Sequence, residues 1–207
     1  MNSRISPLHL LLLILTTAIF AWSAWYPYDR MTWWLEVAPG ILGAALLIFT
    51  YSSFRFTTLV YTLIALHIML LCVGGHYTYA RVPLFDWIQP YFGWPRNHFD
   101  RLGHFMQGFV PALIARELFI RLRVVTASGW RIAIVLLICM GISALYELLE
   151  WATALISGEA AAAFLGTQGD VWDTQADMFM ALIGAICALF FMSIWQNRQM
   201  RKLPRNW

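Results

Sequence analysis

The chain has 207 residues, 60% of them hydrophobic and 12% charged, and a mean hydropathy of +0.64. That is too apolar for a soluble domain, whose charged fraction is roughly twice as large. The net charge is only +3 and the arginines gather into no patch, which excludes a nucleic-acid-binding surface.

Six segments approach or reach the length of about 20 mostly apolar residues that a membrane-spanning helix needs. The first runs from Pro7 to Trp25. An export signal is the alternative here, since Arg4 precedes the run and Ala21-Trp22-Ser23 is a small-x-small site. The apolar stretch from Leu8 to Ala24 exceeds the roughly 7–15-residue core of such signals, so it reads as the first membrane helix. The second segment runs from Thr32 to Tyr51 with a kink expected at Pro39-Gly40, and the third from Phe56 to Tyr77. The fourth spans Phe99 to Leu122, the fifth Trp130 to Ile156 and the sixth Thr174 to Asn197. The expected fold is all-α, a single polytopic bundle of six transmembrane helices.

Cys72, Cys139 and Cys187 lie singly within apolar runs and read as packing thiols rather than a disulfide framework. In the sixth segment Ala181, Gly184, Ala185 and Ala188 form two overlapping small-xxx-small pairs, which predict close helix packing. Asp173 or Thr174 offers an N-cap for that helix, and Glu159 to Leu165 suggests a short helix before it.

Basic residues mark cytoplasmic loops. With the N-terminus inside, ten fall on the inner side: Arg4, Arg55, Arg116, Arg121, Arg123, Arg131, Arg198, Arg201, Lys202 and Arg205. Four, namely Arg30, Arg81, Arg96 and Arg101, fall on the outer side. Both termini are therefore expected in the cytoplasm of a bacterial inner membrane. Tryptophan is distributed the opposite way, and most of it reads as an interfacial belt. The segment from Arg81 to His98 holds the aromatic run Phe85 to Trp94, too short and broken to span. It is expected to lie in the outer interface as a lid over the bundle.

The ionisable residues that remain converge on the outer side. His76 lies near the end of the third helix, Asp100, Arg101 and His104 begin the fourth, and Glu147 and Glu150 lie toward the end of the fifth. Asp170, Asp173 and Asp177 lead into the sixth. Asp100 and His104 are four apart, as are Asp173 and Asp177, while Glu147 and Glu150 are three apart, so each pair shares a helix face. A charge facing lipid costs about 2.5–3.5 kcal/mol at a helix centre, so these edges are expected to turn inward. Six carboxylates with only Arg101, Arg96 and Arg81 nearby cannot all ionise away from water without a further cation.

Three arrangements satisfy that constraint. In the first, His104, Asp100, Asp173, Asp177 and His76 hold a divalent metal (zinc, manganese, magnesium or iron), with Glu147 as a further candidate ligand. Glu150 and Glu147 are then the candidate catalytic carboxylates. Arg101, Trp87, Trp94 and Trp172 are the candidate substrate-binding groups on that side. The expected ligand is an envelope lipid or lipid-linked molecule. In the second, the carboxylates share protons in a proton-coupled transporter, and His67 extends the path inward. In the third, arginines pair with the acids in a network that fastens helix ends. Ser143 and Ser157 sit in no nucleophile-elbow pattern, and no phosphate-cradling glycine loop is present.

The runs Asn97-His98-Phe99-Asp100-Arg101-Leu102-Gly103-His104-Phe105, Tyr146-Glu147-Leu148-Leu149-Glu150-Trp151 and Gly169-Asp170-Val171-Trp172-Asp173 through Asp177 resemble the YjdF-type family of bacterial inner-membrane proteins. That resemblance implies a multi-pass inner-membrane protein and no particular chemistry. The same segments are more distantly similar to VanZ-like membrane proteins. They depart from that pattern by carrying acid where an amide is expected, at Glu150 and Asp177.

Overall fold

The computed structural model describes residues 5–157 and 162–203, and no strand occurs among them. Arg4, Arg205, Trp207 and the Glu159–Ala161 part of the expected short helix lie outside the described residues. The helices are α1 (Pro7–Ser23), α2 (Arg30–Thr50), α3 (Thr58–Tyr77), α4 (Pro83–Phe92), α5 (Phe99–Arg121), α6 (Ser128–Ser157), α7 (Ala162–Leu165), α8 (Asp173–Cys187) and α9 (Ser193–Met200). A π turn over Ala188–Met192 joins α8 to α9, so the last expected segment is one span with a local widening.

Local chemistry sets several boundaries. Asp29 accepts from the Thr32 N–H at 2.6 Å and starts α2, while the Thr57 hydroxyl accepts from Val60 N–H at 3.4 Å and starts α3. Pro7 and Pro83 occupy the first turns of α1 and α4, where no amide hydrogen is needed. Pro39 and Gly40, where a kink was expected, lie within α2, which runs as one helix from Arg30 to Thr50. A side-chain carbon at Gly40 would lie 3.3 Å from Ile68, so glycine lets α2 approach α3 there.

Among the described residues four helices, Arg30–Thr50, Thr58–Tyr77, Ser128–Ile156 and Asp173–Met200, are long and apolar enough to cross a membrane, and Pro7–Ser23 is a shorter apolar helix. The charged α5 reaches full length and occupies the centre. It packs most closely along α8 and also against α3 and α6, while α1 and α2 each lie on α3. Val60, Val110, Leu113, Val135, Cys139 and Ala185 form the core around it. Leu42, Phe49 and Phe190 are 71%, 83% and 75% exposed, as residues solvated by hydrocarbon chains should be. Cys72 and Cys139 are buried and Cys187 half-buried, all three as free thiols.

The small-residue stripe on α8 meets glycines on α5. Ala181, Ala185 and Ala188 are fully buried, and a side-chain carbon at Gly184 would stand 2.0 Å from Phe105 O. One at Gly108 would stand 1.8 Å from Ala181 O. The two backbones touch, as the spacing predicted.

The helix ends form two unlike faces. The basic end holds a buried network around Glu117 on α5. Its Oε1 accepts from Thr57 N–H and Arg121 Nη1, each at 2.8 Å, and its Oε2 from the Thr57 hydroxyl at 2.7 Å. Beside it Arg116 donates to Gln196 Oε1 at 2.6 Å and Asn197 Oδ1 at 2.8 Å, tying α5 to α9. Arg116 and Arg121 therefore do more than mark topology. Glu117→Ala is expected to lower the unfolding free energy by about 3 kcal/mol, because it strands buried donors on the start of α3. Equilibrium unfolding in detergent, with Glu117→Gln retaining part of the stability, checks this.

Candidate functional site

The opposite, acidic end is built on the first turns of α5 and α8 and the last turns of α6. Asn97 organises the entry to α5. Its Oδ1 accepts from Phe99 N–H at 3.0 Å, and its Nδ2 donates to Val82 O at 3.1 Å and Asp86 Oδ1 at 2.7 Å. Gln168 binds both backbone groups of the same residue, accepting from Asn97 N–H at 3.0 Å and donating to Asn97 O at 2.9 Å. The loop before α8 is thereby pinned over the start of α5.

Two arginines clamp the aspartates. Arg101 Nη2 lies 2.9 Å from Asp170 Oδ2 and 2.8 Å from Asp173 Oδ1, while its Nη1 contacts Asp177. Arg96 is buried against Asp173 and donates to Thr167 O and Gly166 O, each at 2.9 Å. It also stands 3.6 Å from Asp100 and 3.5 Å from Asp170. The Trp172 N–H, 3.0 Å from Asp170 Oδ1, and then both arginines hold the Asp170 carboxyl below its ordinary range. Asp173 heads α8 without capping it by its side chain, contrary to the expected N-cap, because the arginines claim its carboxylate.

Deeper in, His104 is the hub. Its Nε2 lies 3.6 Å from Asp100 Oδ1, 3.7 Å from Glu147 Oε1 and 3.9 Å from Asp177 Oδ1. Its Nδ1 lies 3.2 Å from Gln107 Oε1, one turn along α5. With Gln107 Oε1 as acceptor the ring donates from Nδ1, and Nε2 is turned toward three carboxylates. Glu147 is 7% exposed, and its Oε1 has no hydrogen-bond partner among the described residues. Asp100, His104 and Asp177 each offer one atom within 4.8 Å of the others, and so do His104, Glu147 and Glu150. Donors about 2.1 Å from a tetrahedral ion stand about 3.4 Å apart, so His104 and its neighbours sit slightly wider than a closed metal site.

A cavity of about 240 Å³ opens beside this hub, between α2, α3, α5 and α6. Glu36, Asp100, His104 and Glu150 line its polar end, and Ile64, Ile68 and Ile114 its apolar end. Glu36, on α2, is 4% exposed and accepts from the Tyr146 hydroxyl at 2.9 Å. Tyr79 lies at the same end, its ring occupying the space that side chains at Gly74 and Gly103 would need, at 2.4 and 2.8 Å. Burial, then the nearby Glu36 and Asp100, pushes the Tyr79 phenol well above its ordinary pKa, keeping it a proton donor.

The structure therefore joins Asp100, Arg101, His104, Glu147, Glu150, Asp173 and Asp177 in one cluster. His76 stands apart, because the last turn of α3 faces α1: its Nδ1 lies 3.1 Å from Ser23 O and its ring packs on Trp22 at 4.4 Å. Arg81 stacks over Tyr28, 4.1 Å from the ring centroid, and takes no part in the clamp. The aromatic segment folds into α4, with Trp87 66% exposed and Trp94 stacked on Phe92 at 4.7 Å. Trp172 is 67% exposed. None of these three tryptophans lines the cavity. Tyr79, Phe164 and the Gly166–Gln168 loop stand at the acidic end, Phe164 with its ring 6.3 Å from that of Tyr146.

Glu36, Gln107 and Tyr79 escaped sequence reasoning. A lone acid within an apolar span was the signal for Glu36, and the three-residue offset from His104 the signal for Gln107.

Residues 8–198 match the family described as "Predicted membrane protein (DUF2238)". The chain is also 46% identical over 197 residues to the "Inner membrane protein YjdF" of Escherichia coli (strain K12), covering 95% of this chain and 91% of that one. The chain belongs to the DUF2238 family of membrane proteins. No solved structure matches it. The Asp-Arg-x-x-His, Glu-x-x-Glu and Asp-x-x-x-Asp segments that build the cluster all lie within the span matched to DUF2238.

Proposed function

We propose that the acidic end is a divalent-metal site that receives the anionic headgroup of an envelope lipid or lipid-linked molecule. One observation carries this reading. The Nε2 of His104 faces Asp100, Glu147 and Asp177 at 3.6–3.9 Å, with an orphaned buried oxygen on Glu147 among them. Two arginines serve Asp170, Asp173 and Asp177 and only approach Asp100, so among the described residues Glu147, Glu150 and Glu36 pair with no arginine. Mixed imidazole and carboxylate donors suit manganese, zinc or iron, and a carboxylate-rich set admits magnesium. A bound cation supplies positive charge for a phosphate-bearing headgroup and acidifies a bound water. Glu150 then stands where a general base acts, while Tyr79 offers a proton to the headgroup. The arginine-rich opposite end faces the cytoplasm, which puts the site on the periplasmic side of the inner membrane.

Metal analysis by mass spectrometry of protein purified in mild detergent tests this. Wild type is expected to carry one metal per chain, His104→Ala and Glu147→Gln to lose it, and Gln107→Ala to weaken it roughly 10–100-fold. Wild-type protein that stays metal-free after reconstitution with each of these ions sinks the proposal. Proton coupling is the second reading. His67 lines the cavity, so it extends the titratable set inward. Substrate-driven proton flux in liposomes, abolished by His104→Ala in a metal-free protein, would favour it.

A further inference from the structure

The cavity's two bilayer-side walls, α2 and α6, barely touch. The helix α2 leans on α3 and α7, and α6 on α5, α8 and α7. At the acidic end the Tyr146–Glu36 hydrogen bond closes the space between them. Below that bond, Gly43 on α2 lines the cavity, and a side-chain carbon built on it meets nothing within 4 Å. Ile142 on α6 lines the cavity too and is 39% exposed. The cavity is thus bordered toward the hydrocarbon layer by open space at Gly43 and by the part-exposed Ile142, with a gap between α2 and α6.

We propose that this gap is a lateral slot through which the single hydrocarbon chain of a phosphate-bearing lipid enters, its headgroup coming to rest at the His104 cluster. The headgroup half of the statement rests on the function proposed above; the chain half stands on the cavity itself. From Asp100 to Ile114 the cavity follows α5 for 14 residues, about 21 Å at 1.5 Å per residue. A volume of about 240 Å³ drawn out over that length is a narrow passage with room for one chain. Its wall beyond the polar end is Pro39, Ile68, Leu71, Val110 and Ile114, interrupted by His67. An alkyl or isoprenoid tail is the occupant this lining suits, and the surrounding bilayer is its source. The glycine keeps the mouth open, because a larger residue at position 43 would project into the path. The Glu36–Tyr146 bond marks where the slot ends and the polar chamber begins.

The test is photolabelling in lipid nanodiscs with a single-chain alkyl phosphate that carries a diazirine midway along the chain, the sites mapped by mass spectrometry. Wild type is expected to be labelled at Ile64, Val110 or Ile114 inside the cavity. Gly43→Leu fills the mouth from α2 and Ile142→Trp from α6, and each is expected to cut that labelling roughly tenfold or more. Neither should lower the melting temperature or the metal content, since position 43 is open and leucine is a better helix former than glycine, and Ile142 is 39% exposed. Labelling that persists in both variants, or falls only on bilayer-facing Leu42, Leu46 and Leu145, overturns the slot. Cavity labelling that survives in chelator-stripped wild type upholds the slot and removes only the cation from the headgroup site.

Discussion

Gly108→Ala is expected to destabilise the protein by on the order of 3 kcal/mol or more, and Gly108→Leu to leave no folded protein in the membrane. A side-chain carbon at this position would sit 1.8 Å from the carbonyl oxygen of Ala181 and 2.6 Å from its carbon. Both are backbone atoms, so no rotamer change relieves the overlap and α8 must move off α5. That movement opens the closest helix pair in the bundle and exposes Ala181, Ala185 and Ala188, which bring little side-chain contact at longer range. Overpacking of well-packed cores costs about 1–3 kcal/mol when side chains can adjust, and more when backbone must shift. Gly184→Ala repeats the experiment from the other helix, with Phe105 O at 2.0 Å. Gly141→Ala is the control: the space around it is open, and helix propensity alone favours alanine by roughly 1 kcal/mol. Reversible unfolding in mixed micelles reads all three. A Gly108→Ala protein that unfolds together with wild type would mean that the α5–α8 seam is looser than described.

The seam shows why parts of this fold were legible in the sequence. Small residues at a spacing of four have one use in a membrane helix, and a periodic pattern survives any uncertainty about partners. The paired ionisable residues on α5, α6 and α8 were legible for the same reason. Helical spacing placed each pair on one face, and the high cost of lipid exposure turned those faces inward. His76 defeated that logic because its depth matched the cluster while its azimuth did not. Depth follows from counting along a helix, but the direction a helix faces depends on which neighbour it packs against, here α1 and Trp22. Glu36 was hidden for the opposite reason: it stands alone on its helix, without the second acid that made the other pairs visible. Trp87 and Trp94 were selected with the aromatic run expected as a lid and Trp172 by its side of the membrane, a coarse coordinate that an interfacial belt satisfies equally well. The network around Glu117 combines long-range partners from α3, α5 and α9, and the basic residues there invited a topological explanation first.

Removal of Arg101 should separate the role of the arginine clamp from that of a bound cation. Arg101→Met leaves the Asp177 carboxylate, itself 2% exposed, without its guanidinium partner, and deprives Asp170 and Asp173 of one as well. Breaking a buried ion pair from one side typically costs about 3–5 kcal/mol, because the remaining charge has neither water nor a partner. Arg101→Lys is expected to recover only part of this, since an ammonium is a point charge and the guanidinium spans the three aspartates with a planar fork. Combining Arg101→Met with Asp177→Asn should return at least about 1 kcal/mol, a coupling that measures the pair directly. The cation then decides the sign of a second effect. If the carboxylates around His104 bind a divalent ion, losing the arginine concentrates negative charge there and raises the affinity for that ion. Ligand binding to the folded state stabilises by RT ln(1 + [L]/Kd), so added manganese or zinc should raise the melting temperature of Arg101→Met more than that of wild type. A network of ion pairs alone predicts the same loss of stability and no rescue by divalent ions beyond what matched ionic strength provides. His104→Ala in the Arg101→Met background closes the comparison, since it should abolish the rescue only where imidazole ligates the metal.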